Sequence, residues 1–161
     1  MYYLHNQPWS SPESPELDGE FQWNLWGTRL WPYNRIEVGD RLLLCCPVPG
    51  GSRITWEAEL TQVEKAPYGS KCEAWQTIAA SFPQLKRDLG WTYRTFRDAE
   101  YTKARPEVGH LLAFTYDPVQ ELQVDRPRRW RLRPNGWLVL TDEEAQSLTG
   151  PPSRRRGSSR K

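Results

Sequence analysis

From Arg53 to Val63 apolar and polar residues alternate: Ile54, Trp56, Ala58 and Leu60 fall on one side, Thr55, Glu57, Glu59 and Thr61 on the other. That period of two predicts a half-buried strand. Ahead of it, Ile36 to Val48 carries the apolar run Leu42-Leu43-Leu44-Cys45-Cys46 and reads as a strand entered through Gly39-Asp40. The turn Pro47-Val48-Pro49-Gly50-Gly51 between the two predicts a hairpin. Tyr2, Tyr3 and Leu4 predict a first strand within residues 1–9. Over 72–82 the period changes: Ala74, Trp75, Ile78, Ala79 and Phe82 stand at helical spacing, ended near Pro83. A second helical turn is predicted from Leu85 to Leu89, stopping at Gly90.

Gly109 to Tyr116 predicts a strand broken by Asp117-Pro118, with Val119 to Val124 pairing back onto it. Arg129 to Arg133 alternates with Trp130 and Leu132, the pattern of a strand with one cationic and one buried face. Trp137 to Leu140 follows the turn Pro134-Asn135-Gly136 as a last strand. Thr141 and Glu144 have capping-box spacing and open a helix that Gly150-Pro151 closes. Phe21 to Tyr33 fits neither period and predicts a short helix or an irregular aromatic segment, closed by Pro32. Trp91, Tyr93 and Phe96 predict another strand or extended segment, and Ser10 to Glu20 a loop. The sum is an α+β domain of about six strands with two or three short helices. Its order suits a curled or closed β-barrel better than a parallel sheet. Residues 1–150 form one domain in this reading and 151–161 a disordered basic tail.

Composition adds an aromatic emphasis. Nine tryptophans stand in 161 residues, three of them (Trp23, Trp26, Trp31) within nine positions. An indole fills a core or stacks on a flat ligand. The net charge of +2 hides an asymmetry: Arg154, Arg155, Arg156, Arg160 and Lys161 close the chain, leaving 17 basic against 20 acidic residues before them. The body is thus slightly acidic, with basic segments placed locally. Three cysteines (Cys45, Cys46, Cys72) make neither a disulfide framework nor a C-x-x-C pair. With no signal sequence and no apolar run near the roughly 18 residues that span a bilayer, a cytoplasmic location and no membrane contact are expected.

The stretch Ile36-Glu37-Val38-Gly39-Asp40-Arg41-Leu42-Leu43 is similar to the approach to a barrel strand in the PUA-like superfamily, within it the EVE and ASCH domains. Ile54 to Leu60 resembles the next strand of those families, and Gly109 to Phe114 and Gly136 to Leu140 resemble closing strands. YTH readers are more distant relatives. The Gly-x-Lys-x-x-Glu signature associated with ASCH domains is absent. The resemblance implies binding of RNA, or of DNA with a modified base held in an aromatic pocket.

A flipped base is held between aromatic faces and read along its polar edge. Trp23, Trp26 and Trp31 with Asn24 and Asn34 contain those parts, and Trp91 and Tyr93 form a second wall; the alternative for these indoles is plain core packing. Arg126, Arg128, Arg129, Arg131 and Arg133 put five guanidinium groups in eight positions, suited to phosphates or to a solvated edge. Asp40 is expected to accept backbone N–H bonds in its turn. No nucleophile with a base, zinc spacing or phosphate-binding loop is legible, so neither metal nor cofactor is expected. The leading reading is a non-catalytic nucleic-acid-binding module, of DNA or RNA. One rival is a protein or peptide interaction module using the aromatic surface. Another is a hydrolase or nuclease built around Glu57, Glu59 and His110.

Overall fold

The computed structural model describes residues 1–7 and 21–149. The predicted loop from Ser10 to Glu20 and the basic tail lie outside the described residues. Six strands run Tyr2–Asn6 (β1), Phe21–Trp26 (β2), Arg41–Val48 (β3), Gly51–Tyr68 (β4), Gly109–Asp125 (β5) and Trp137–Leu140 (β6). Among the described residues there are five helices: Lys71–Ser81 (α1), Gln84–Arg87 (α2), Tyr93–Asp98 (α3) and Glu100–Lys103 (α4) between β4 and β5, and Asp142–Thr149 (α5) after β6. The strands form one mixed sheet in the order β2-β5-β4-β3-β1-β6. β1 lies parallel to β3 and antiparallel to β6, and β2 is antiparallel to β5. The α+β class agrees with the sequence reading. The closed barrel does not: β2 and β6 are the two edges of an open sheet, and helices number five rather than two or three.

The chain divides into a terminal unit (Met1–Pro15, Arg41–Glu57, Val119–Lys161) and a central unit (Glu16–Asp40, Ala58–Pro118). The terminal unit buries Leu4, Leu43, Cys45, Ile54, Trp130 and Leu140 together. Burial pushes the Cys45 thiol up to about 12, which leaves it an inert apolar filler. Thr141 caps α5 as predicted, its Oγ1 accepting from the Glu144 N–H at 3.2 Å while Glu144 accepts from the Thr141 N–H at 3.0 Å.

The central unit packs α1 and α3 around Trp75, Ile78, Phe82 and Phe96. Ser70 caps α1, its hydroxyl accepting from the Glu73 N–H. In the turn before β3, Asp40 Oδ2 accepts from the Glu37 N–H at 2.9 Å, as expected, beside Gly39 at φ 87°. Gly109 is required by close approach: a Cβ there would run into the carbonyl oxygen of Trp26.

Four segments depart from the sequence reading. Phe21–Trp26 is a strand that shows no period because both its faces are covered. Phe21, Trp23 and Leu25 join the apolar cluster, while Gln22, Asn24 and Trp26 are buried on the opposite face. Gln22 is satisfied there by donating to the Tyr116 hydroxyl at 2.8 Å. The segment around Tyr93 and Phe96 is helical because Thr92 and Thr95 make a reciprocal capping box, with threonine where glutamate is usual. β5 runs straight through Asp117-Pro118, a stretch whose residues are exposed, so the missing Pro118 N–H costs no buried bond. Arg129 to Arg133 is not a strand but an irregular run between two prolines.

Candidate nucleic-acid interface

The arginine segment of the terminal unit is irregular yet tied down. The Arg126 N–H donates to the Ser52 carbonyl at 2.9 Å, fixing the start of the segment against β4. The Trp130 N–H donates to Pro127 O at 2.9 Å, closing a turn, and the Arg133 N–H donates to Trp137 O at 3.0 Å. Trp130 is 2% exposed and packs with Leu43 and Ile54. Its burial works as the anchor: the indole goes inward and Arg128, Arg129, Arg131 and Arg133 are left exposed. The expected division into cationic and buried sides thus holds without the strand. No carboxylate among the described residues pairs with those four.

Arg126 differs. It is half-buried, its Nη1 donates to the Trp130 carbonyl, and its buried Nε–H has no acceptor among the described residues. Arg126 and Arg128 line a recess of about 800 Å³ at the β3–β4 turn. Pro47, Val48, Pro49, Arg53 and Asp125 also line it. Arg53 meets the Asp125 carboxylate at 3.4 Å. Neither Arg53 nor Asp125 was singled out by sequence reasoning. They stand 72 positions apart and are joined only by the pairing of β4 with β5; the one sequence signal was the Pro/Gly turn beside Arg53.

The predicted base-pocket residues, all in the central unit, are dispersed. Trp23, Trp91 and Tyr93 pack against one apolar cluster. The Trp23 ring lies 5.5 Å from both Phe21 and Trp91, 5.8 Å from Phe96 and 6.1 Å from Tyr101. Its Nε1–H donates to Thr102 Oγ1 at 3.1 Å. Asn24 and Trp26 lie on the other face of β2, because neighbouring strand positions alternate. Trp26 is opposite His110 in register, and the His110 ring meets Tyr33 edge-on at 5.6 Å. Trp31 is half-buried under the Arg35 guanidinium, 4.9 Å away, and Asn34 is exposed. The seven positions therefore do not share one surface.

The three residues of the hydrolase reading divide between the units. Glu57, expected on a solvated face, is 4% exposed in the terminal unit. Its carboxylate accepts from Gln120 Nε2 at 2.6 Å and from the Tyr2 hydroxyl at 3.4 Å, with Arg41 3.7 Å away. Burial first, and then the Glu57 carboxylate, push the Tyr2 phenol above its ordinary range. Glu59 and His110 belong to the central unit. Among the described residues no group of three or more His, Cys, Asp or Glu is placed to hold a metal ion, and no helix is long and apolar enough to cross a membrane.

No family model matches this sequence, and no curated protein does. Solved structures do. The ASCH protein of Zymomonas mobilis superposes with a TM-score of 0.52 at 16% identity, covering 92% of this chain and 93% of that one. A serine-to-alanine variant of the same protein gives 0.52 at 14% identity, over 92% and 94%. The fold is that of ASCH. At this identity the likeness concerns architecture, and it agrees with the PUA-like resemblance drawn from the Gly39-Asp40 region. Within the ASCH fold of this chain, the arginine segment precedes β6 and the recess lies at the β3–β4 turn.

Proposed function

We propose that this protein is a non-catalytic nucleic-acid-binding module that grips the phosphate backbone with the arginine segment of its terminal unit. The observation that carries this reading is the set of four exposed arginines, Arg128, Arg129, Arg131 and Arg133, with no carboxylate partner among the described residues, on a loop anchored by Trp130. Guanidinium groups bind phosphates bidentately, and a pre-anchored loop limits the ordering cost of binding. The nucleic-acid binding implied by the PUA-like resemblance points the same way. In this reading Trp23, Trp91 and Tyr93 build the core of the central unit, since the Trp23 N–H and ring already have protein partners. Base reading by an aromatic cage is not needed for the grip.

The test is a salt titration of binding to single-stranded and duplex oligonucleotides. Changing Arg129, Arg131 and Arg133 together to alanine should lower affinity at least tenfold at low salt. It should also flatten the slope of log K against log salt by about two to three, roughly one per lost phosphate contact. An unchanged slope would sink the reading. A protein or peptide partner would then take the lead.

A further inference from the structure

The recess at the β3–β4 turn carries more chemistry than a phosphate grip requires. Its volume of about 800 Å³ lies within the range of roughly 300–1,000 Å³ typical of small-ligand sites. Its lining combines the apolar Pro47, Val48 and Pro49 with the cationic Arg53, Arg126 and Arg128. Arg126 is the best positioned of the three: its backbone is bonded to Ser52, one guanidinium nitrogen is bonded to Trp130, and its Nε–H lacks an acceptor among the described residues. The carboxylate of Asp125, 82% exposed in the same recess, works the other way. It repels a bare phosphate and weakens the field of Arg53, 3.4 Å away. A carboxylate there is useful when the ligand brings a hydrogen-bond donor beside its phosphate.

Resting on the nucleic-acid reading above, we infer that the recess seats one nucleotide unit and that Asp125 discriminates ribose from deoxyribose. The phosphate is held by Arg126 and Arg128, the sugar and base lie against Pro47, Val48 and Pro49, and the 2′-hydroxyl donates to the Asp125 carboxylate. A flat ring against proline and valine gains apolar contact without sequence preference. The 2′-hydroxyl is the group by which a protein tells RNA from DNA at a given site. Asp125 is thus a specificity-determining residue, and Arg53 holds its carboxylate in place.

The experiment compares single-stranded RNA and DNA of one sequence, by fluorescence anisotropy at fixed low salt, on the full chain and two variants. The wild type should prefer RNA about two- to tenfold, the worth of one net hydrogen bond. Asp125→Ala should abolish that preference, weakening RNA binding and leaving DNA binding equal or tighter because the repulsion is gone. Arg129→Ala, outside the recess, should weaken both ligands equally and keep the ratio. Asp125 is exposed, so the variant tests the site rather than the fold. Equal binding of RNA and DNA by the wild type, or an RNA:DNA ratio unmoved by Asp125→Ala, would overturn the inference while leaving the arginine grip standing. Failure of both nucleic acids to bind even at low salt would overturn the grip and the discrimination together.

Discussion

In the central unit, most exposed arginines have an opposite charge or an aromatic ring beside them. Arg87 bonds Asp88 at 2.8 Å, Arg97 bonds Asp98 at 2.8 Å, and Arg94 reaches the same Asp98 at 3.6 Å. The bond from Arg97 holds the Asp98 carboxyl below its ordinary range. Arg35 and Arg105 lie over the rings of Trp31 and Tyr101. In the terminal unit, Arg41 and Arg53 have carboxylates, whereas Arg128, Arg129, Arg131 and Arg133 have none among the described residues. Similar residue types thus play two parts. Neighbouring opposite charges leave little field beyond a few ångströms, while clustered unpaired ones project a potential that draws polyanions. The arrangement of the arginines, more than their number, is what supports the proposed phosphate grip.

The strongest way to break this contrast is through the core of the central unit. Phe96 is fully buried, so Phe96→Ala should destabilise by about 3–5 kcal/mol in urea unfolding. If the arginine grip is self-contained, the folded variant should bind nucleic acid within about twofold of wild type. A large loss of binding by fully folded protein would show that the aromatic unit contributes directly.

A smaller effect separates the units by pH. Burial raises Tyr68 in the central unit from 10.0 to about 12 and Cys45 in the terminal unit from 9.0 to about 12. A raised folded pKa favours the protonated form, so its stability is fully present below the unfolded value and is lost as pH climbs through the folded one. Stability should therefore fall between pH 10 and 12 for Tyr68, and from pH 9 to 12 for Cys45. Tyr68→Phe gives up the bond to Pro106 O, about 1 kcal/mol, but should show a shallower alkaline decline. Cys45→Ala should flatten it from pH 9 upward. Thermal melts across this range check both, and an alkaline limb identical to wild type would contradict the burial argument. Least of all should come from Arg94→Ala with Arg97→Ala. Exposed pairs of this kind contribute little to stability, and nucleic-acid affinity should change less than about twofold, against the tenfold expected from the terminal unit.

Much of the architecture was legible where one rule dominated. The alternation through Ile54 and Leu60, the helical spacing of Trp75 and Ile78, and the Thr141–Glu144 box each point to a single local answer. The reading failed where two faces were covered at once, as at Phe21–Trp26, or where a cap used an unusual residue, as at Thr92 and Thr95. Pro118 misled because a proline breaks a strand only where its N–H would have been needed. For the site, Arg126 and Arg128 were visible as part of a charge run. Arg53 and Asp125 were not, since only strand pairing brings residues so far apart into contact. The aromatic pocket shows the converse: Trp23 and Asn24 are adjacent in the chain, and that adjacency puts them on opposite faces of β2.

Gly109 has a consequence for mutational libraries. At Gly39, Gly50, Gly90 and Gly136 the obstacle to a larger residue is a positive φ rather than lack of space, so Asn or Asp should be the substitutes best tolerated there. At position 109 the obstacle is the main chain of Trp26, which no rotamer change can move aside. A saturation screen should return that column almost empty, and in any collection of diverged relatives this glycine is a fixed point from which the pairing of β2 with β5 can be aligned when little else in the sequence is shared.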